Sequence, residues 1–586
     1  MAIRRLEKIE AFDVETITDM RVGPQPYHGK DRIFAWCRTA IDGTTQVHRI
    51  NPDKVDMMLQ DYILDTRTRK ICHNLKYEYA MLKSNGYAVP KRARWHDTMI
   101  QSQLTDNLRL SHALDYVAWQ LAKWSRDLDA QVHKLARAYG GFHKVPVKLM
   151  NRYQRSDGQR SMLIHLAYFP QIESNPDLLR DYEHEIDLVQ TTERMERTGI
   201  LYDQESASLL LSDLERELNL ARADLLQLTG GQPYNLSSPD EVMYLLYTKF
   251  KLPVLRFTGG GKPSTDKMVL AELTQKNPHP ILKILERYRA YQKGYGIISG
   301  YADLVDSNGV IHPNIQTNRA ATGREACSKP NLQNVSKDYK KDAIAIPARR
   351  CFRARPGKKF MLVDQSGIEM RLIIEAAGCE KMAEIQRLSD LGQGPTPHEV
   401  HCQIGYGDRF ISKAESKDMY SSGKNGHFAL GYGAALAKWA MAMGMTLFEA
   451  TPGYKEYGRR FPKIANLATE GMREVQKTGF VETPFGRKLY VPADKAHAWL
   501  NYYIQGTAAG IIKRGQTESE KALAGMGVDL LLPIHDEIVF EMDVDTPDKE
   551  IYSIMRKAMI EIEAIKVPLD TEAKVSLTTW ADAKDL

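Results

Sequence analysis

The stretch Leu531-Leu532-Pro533-Ile534-His535-Asp536-Glu537-Ile538-Val539-Phe540 sets one imidazole and two adjacent carboxylates between two apolar runs. Neighbouring acids at such a junction are costly to bury unless a cation neutralises them. A solvated turn between exposed strands is the competing reading of this stretch alone. Lys358-Lys359-Phe360-Met361-Leu362-Val363-Asp364 is another short apolar run that ends on a lone acid. Asp364 beside Asp536 would make a site for two hard cations, which take oxygen ligands and bring substrate phosphates with them. Lys424, Phe428 and Tyr432 stand at i, i+4 and i+8, so a cation, a flat ring and a phenol line one helical stripe. That row suits a nucleotide, with Lys424 on the phosphates, Phe428 near sugar and base, and Tyr432 near the templating position.

The apolar, partly β-branched flanks of His535 and Asp536 predict a hairpin. Ile9-Glu10-Ala11-Phe12-Asp13-Val14-Glu15-Thr16 predicts a strand whose alternation puts Asp13 and Glu15 on one face. Tyr153 and Asp157, at i and i+4, share one helix face. Asn235-Leu236-Ser237-Ser238-Pro239-Asp240-Glu241 is a helix start, with Ser238 as cap and Pro239 in the first turn. Thr258-Gly259-Gly260-Gly261-Lys262-Pro263 is no phosphate-binding loop, since Pro263 follows the lysine and Arg256 occupies the first glycine position. A loop between helices is the better reading. Pro397-His398-Glu399-Val400-His401-Cys402 has no second ligand pair at zinc spacing and reads as a helix with His398 near its start. Glycines 423, 426, 431 and 433 make the Lys424 helix intrinsically weak.

A chain of 586 residues needs several domains. Its 43% hydrophobic and 26% charged content is that of an ordinary globular protein, and a net charge of +6 permits a polyanionic partner without requiring one. The six scattered cysteines, with no C-x-x-C pair, predict reduced thiols in place of a disulfide framework or a zinc ribbon. No apolar run reaches membrane-spanning length, and the N-terminus turns charged again at Glu7 before a signal-peptide core can form, so a cytoplasmic location is expected.

Taken in order, Asp13-Val14-Glu15, then His73-Asn74-Leu75-Lys76-Tyr77-Glu78, then Tyr153-Gln154-Arg155-Ser156-Asp157 resemble the three exonuclease motifs of the DEDD proofreading family in its tyrosine subtype. The resemblance implies Asp13, Glu15 and Asp157 as metal ligands and Tyr153 orienting the attacking water. Glu78 stands where that family has aspartate, and is expected to take the same role.

Thr322-Gly323-Arg324 followed by Pro330-Asn331-Leu332-Gln333-Asn334 resembles family A DNA polymerases, as does Asp364-Gln365-Ser366-Gly367-Ile368-Glu369-Met370-Arg371, their first palm motif. His535-Asp536-Glu537 is similar to their third. The resemblance implies Asp364 and Asp536 as polymerase metal ligands, with Glu537 and Lys424 in the catalytic set. Glu369 would gate the sugar, and Lys424, Phe428, Tyr432 and His535 would bind the nucleotide. Arg324, Asn331, Gln333, Arg487, Asn501 and Gln505 would bind primer–template, the arginine and amides reading minor-groove acceptors without sequence preference. Gln365 and Gly367 replace the family's tyrosine and glutamine, and His497 stands where an arginine is common. Tyr420 replaces another arginine, so part of the triphosphate grip is expected from Lys413 or Lys417.

The implied fold is a multidomain α/β chain: an RNase H-like 3′→5′ exonuclease over 1–185, a thumb over 186–305, and a palm over 306–586 with fingers inserted at about 372–480. The implied function is template-directed DNA synthesis with proofreading in bacteriophage replication, without a separate 5′ nuclease. Two Mg²⁺ per site are expected, Mn²⁺ substituting, and the partners are primer–template DNA, deoxynucleoside triphosphates and replisome proteins such as a helicase–primase and a single-strand binding protein. A monomer off the membrane is expected. The rival readings are a single-subunit RNA polymerase, a nuclease with an inactive polymerase fold, and a non-catalytic DNA-binding protein.

Overall fold

The computed structural model describes residues 8–21, 23–90, 94–335 and 347–586. Met1–Glu7, the segment read above as too charged for a signal peptide, lies outside the described residues.

The N-terminal part is built on a five-stranded sheet. In chain order its strands are Lys8–Ile17, Arg32–Ala40, Thr45–Arg49, Thr68–Cys72 and Trp95–Asp97, and they lie side by side as third, second, first, fourth, fifth. The first three pair antiparallel; the first with the fourth, and the fourth with the fifth, pair parallel. Alternation divides the first strand as expected. Phe12 and Val14 enter an apolar core with Trp36, Leu59 and Leu75, whereas Asp13 and Glu15 turn to the opposite face. Across that face runs the helix Val147–Glu173. Gly158 lets it come close, because a Cβ there would lie 2.1 Å from Thr39 Oγ1.

The helix Pro176–Thr198 starts on an Asn175 cap and runs through residue 185 without a break. Its first turns complete the N-terminal core through Leu178 and Tyr182, and its last reach the next core through Met195. The helices Gln204–Leu228 and Pro280–Ala302 then pack together around Leu218, Leu225, Ile281 and Leu285. Ser238 caps the helix Pro239–Met243 with Pro239 in its first turn, and Thr258–Lys262 forms a turn in which the Thr258 N–H donates to the Lys262 carbonyl, 2.7 Å.

A second five-stranded sheet, antiparallel throughout, orders its strands Val528–Ile534, Glu537–Asp543, Lys358–Gln365, Thr571–Ser576 and Lys584–Asp585. The expected hairpin is there, with His535 and Asp536 as its two-residue turn. Inserted after Lys358–Gln365 is a helical layer from Ile368–Ala377 to Pro462–Thr478, with its own core around Ile373, Tyr406, Trp439 and Tyr457. Gly423 and Gly426 are what that core requires. A Cβ would lie 2.2 Å from Cys402 Sγ at the first and 2.4 Å from Met443 Sδ at the second, so close packing outweighs their low helix propensity. All six cysteines are buried thiols. Among the described residues no helix is long and apolar enough to cross a membrane.

Candidate active sites

The second sheet places acids in a row at one end. Asp364 sits directly opposite Glu537 on one side and Glu572 on the other. Like charges so placed across strands repel. Asp536 joins them because the Gln365 N–H donates to its carbonyl, 3.0 Å, and because His535 takes a left-handed conformation at φ 57°. Burial pushes the Asp536 carboxyl up, while Arg324, whose guanidinium is 4.0 Å away, and His535 pull it down. Glu537 is buried beside Arg349 at 3.8 Å, and Glu572 accepts a hydrogen bond from Ser366 Oγ, 3.1 Å. An excess of carboxylate facing solvent at Asp364 and Asp536 fits hard divalent cations.

The turn-rich stretch closes over this row. The Gln333 amide donates to the Pro533 carbonyl, 3.2 Å, and Arg324, Gln333, His535 and Asp536 share a cavity of about 20 Å³. Asn331 is exposed beside Gln333, and Gln505 donates to Asn501, 2.7 Å, on one surface of the helix Trp499–Ala522.

Lys424, Phe428 and Tyr432 lie on and just beyond the helix Lys417–Gly431. The Tyr432 hydroxyl donates to Glu369, 2.7 Å, in the first turn of the helix that follows the Asp364 strand. That bond ties the helix to the acidic row. Lys424 Nζ is 6.0 Å from the Phe428 ring, and the His398 ring stands edge-on to it at 5.1 Å. Burial, then Lys424 and Lys413, hold the His398 imidazole down at about 4. Lys413 Nζ lies 5.4 Å over the Tyr420 ring. Lys413 therefore reaches the neighbourhood of Lys424; for Lys417 no contact with this group is seen.

A second acidic site lies on the first sheet. Carboxylate oxygens of Asp13, Glu15 and Asp157 lie within 4.8 Å of one another. Burial raises the Asp13 carboxyl to about 7. Burial and then Asp13 also raise Glu15, Asp157 and Glu78, with Arg160 opposing the shift at Asp157. Glu78, on the helix Leu75–Ser84, stands outside the close triplet, yet its Oε2 is buried without a hydrogen-bond partner and the Asp13 charge acts on it. Three buried acids and the half-buried Asp13, with an unsatisfied oxygen among them, fit a divalent cation. The Tyr153 hydroxyl hydrogen-bonds Asp157, and Arg160 grips Asp129 at 2.6 and 2.7 Å and Asp157 at 3.3 Å. A cleft of about 770 Å³ is lined from one side by Asn74 and Tyr77 and from the other by Asn314 and Gln316.

The profile of DNA polymerase family A matches residues 204–582. The chain belongs to that family. DNA polymerase I of Pseudomonas aeruginosa is 28% identical over 607 aligned positions, covering 99% of this chain and 64% of that protein. The thermostable DNA polymerase I of Thermus thermophilus is 27% identical over 471, covering 77% of this chain and 53% of the relative. The chain thus spans between about half and two thirds of these relatives' length. In fold it is similar to the POL domain of Pol1 from M. smegmatis, solved with DNA primer-template and dNTP, at a TM-score of 0.77 and 22% identity over 96% of this chain and 95% of that one.

Within the family A fold one expectation needs correction. Arg487, expected on primer–template, is buried, and its guanidinium binds Asp181 at 2.8 Å and Glu185. Lys513 joins Glu185 at 2.7 Å and Arg514 joins Asp181 at 3.0 Å. A guanidinium held between two buried acids is not a surface contact for DNA. Glu537, expected in the catalytic set, is buried directly opposite Asp364, with Arg349 3.8 Å from its carboxylate. Arg371, a motif residue, clamps Asp390 at 2.6 and 2.8 Å and is structural. The sequence reading missed Glu572 and Arg349. Neither carries a motif; only strand pairing and folding bring them in.

Proposed function

We propose that this chain extends a primer 3′-hydroxyl with deoxynucleotides on a DNA template and removes mispaired 3′ ends at its second acidic site. The observation that carries the first half is the meeting of Asp364, Asp536 and the Glu369–Tyr432 pair at one end of the second sheet. When bound there, Mg²⁺ or Mn²⁺ would lower the pKa of the 3′-hydroxyl and neutralise charge developing on the phosphates, and at Asp13, Glu15, Glu78 and Asp157 it would do the same for an attacking water.

The chain's own residues do the rest. Lys424, with Lys413 over Tyr420 as a second cation, would balance the triphosphate, which supplies what the arginine absent at position 420 would give. Phe428 offers a flat face to sugar and base. Glu369, fixed by Tyr432, crowds the sugar where a 2′-hydroxyl would stand, which favours DNA synthesis over the RNA polymerase reading. Arg324, Asn331, Gln333, Asn501 and Gln505 line the approach with donors that tolerate any base pair. Tyr153, bonded to Asp157, would orient the water of excision. The cleft of about 770 Å³ that Tyr77 shares with Asn74 and Gln316 would receive a single-stranded end.

Four features support an RNase H-like exonuclease over 1–185: the strand order, the switch from antiparallel to parallel pairing, the clustered acids, and the orphaned Glu78 oxygen. We assign the thumb to 186–305 and the palm to 306–586, with fingers at about 372–480. A place in bacteriophage replication, beside a helicase–primase and a single-strand binding protein, is the further part of this proposal.

The test is a primer-extension and mismatch-excision assay, with and without Mg²⁺. Asp536→Ala should abolish extension and leave excision largely intact; Asp13→Ala and Glu78→Ala should do the reverse, with Glu78→Asp near wild type. Loss of both activities in a folded Asp536→Ala protein would refute the two-site reading.

A further inference from the structure

The acidic site on the first sheet has a cation at its rim that no motif marks. Strand pairing sets Glu15 opposite Ala35 and Ala35 opposite Arg49, so Glu15 and Arg49 project from the same face of the sheet, one strand apart. Arg49 is exposed at the end of the edge strand. Its Nη2 donates to Asn151 Oδ1, 3.1 Å, on the helix that also carries Tyr153 and Asp157, and its guanidinium lies 5.1 Å over the Phe34 ring. Its charge acts on Glu15 across the intervening strand. The nearer cation, Arg160, is buried and spent on Asp129 and Asp157. Arg38, on the middle strand, pairs with Phe12 and belongs to the opposite face.

Charge decides what Arg49 is for. Four carboxylates are balanced by two divalent cations, which leaves the phosphodiester, and the extra charge it gains under attack, without a partner. An arginine that is solvent-accessible, oriented by an amide and a ring, and not neutralised by a short ion pair matches that need. We propose that Arg49 binds the phosphodiester of a single-stranded 3′ end at the Asp13–Glu15–Asp157 cluster. The inference rests on the exonuclease reading of that cluster.

The test compares wild type, Arg49→Ala, Arg49→Lys and Asp13→Ala in three assays: mismatch excision, primer extension, and binding of fluorescent trithymidylate across a salt series with Ca²⁺ in place of Mg²⁺. Arg49→Ala should lower excision kcat/KM by roughly 100-fold. Its extension should match wild type, and the logarithmic salt dependence of binding should lose about 0.7 of its slope, the signature of one phosphate contact on a single strand. Arg49→Lys, which keeps the charge and loses the fork, should fall between. Wild type excising no faster than Asp13→Ala would overturn the exonuclease reading and this inference together. Active wild type with an unchanged Arg49→Ala would overturn the inference alone. So would an unchanged salt slope, or an equal loss of extension, either of which assigns Arg49 to the fold.

Discussion

Glu369 and Tyr432 show how one hydrogen bond joins two stretches that are unrelated in sequence. The 2.7 Å bond fixes a carboxylate at the start of one helix and a phenol at the end of another. Such a bond to a charged acceptor contributes about 1.5–3 kcal/mol. Tyr432→Phe should therefore loosen Glu369 and raise the ribo-to-deoxynucleotide incorporation ratio by roughly tenfold or more. Glu369→Ala should raise it further, with a slower extension rate. Competitive incorporation on a defined template measures both; a Tyr432→Phe ratio equal to wild type would separate the bond from sugar selection. At this scale the sequence is most readable where chemistry is local. Asp13 with Glu15, Tyr153 with Asp157, and Lys424 with Phe428 are each read from period alone and fall where period puts them. Arg487 is not readable in that way, since Asp181 and Glu185 lie some three hundred residues earlier and only the fold makes them its partners.

At the scale of elements, the helix Val147–Glu173 must lie at a fixed depth on the first sheet for Tyr153 and Asp157 to meet Asp13 and Glu15. Gly158 sets that depth. A methyl there would meet Thr39 Oγ1 at 2.1 Å and Thr39 Cβ at 3.1 Å, atoms of a short β-branched side chain with little room to rotate away. Gly158→Ala gains about 1 kcal/mol of helix propensity. It should still lose more than that to overpacking, which costs about 1–3 kcal/mol. The larger effect is positional, because a shift of roughly 1 Å in a reacting group can cost about 100-fold in rate. Excision should fall steeply while extension stays near wild type, and Thr39→Ser in the same chain should recover little, since it keeps the hydroxyl. Full excision by Gly158→Ala would show that the helix seats with slack. The hairpin at His535-Asp536 was legible because its flanks are apolar, partly β-branched runs of strand length. The glycines of the Lys424 helix misread as weakness because their partners, Cys402 and Met443, come from other helices.

At the scale of the whole molecule, the helix Pro176–Thr198 belongs to both halves, and buried charge holds it to the second. Asp181 and Glu185 meet Arg487, Lys513 and Arg514 in the interior. Burial pushes the Asp181 carboxyl up, but Arg487 and Arg514 outweigh it and bring it to about 2; Glu185 is lowered too, with Lys513 and Arg487 overcoming burial. Folded values below the ordinary ones mean that folding favours the ionised acids. Their contribution is therefore complete above about pH 5 and disappears as pH falls through 4 toward 2. For Asp181, a change from 3.8 to about 2 corresponds to roughly 2–3 kcal/mol. Asp181→Asn with Glu185→Gln keeps the shapes and removes both charges, leaving buried Arg487 and Lys513 and half-buried Arg514 without acids. At pH 7 this double variant should melt well below wild type, by an amount equivalent to about 3–5 kcal/mol. As pH is lowered from 5 toward 2, the unfolded chain takes up protons on these two acids before the folded one does, so wild type loses their contribution and should approach the variant. The gap in melting temperature across that series is the measurement. If it stays constant with pH, the network is held by shape and hydrogen bonding alone. If it closes in acid, the two halves of this chain are joined by ionised pairs.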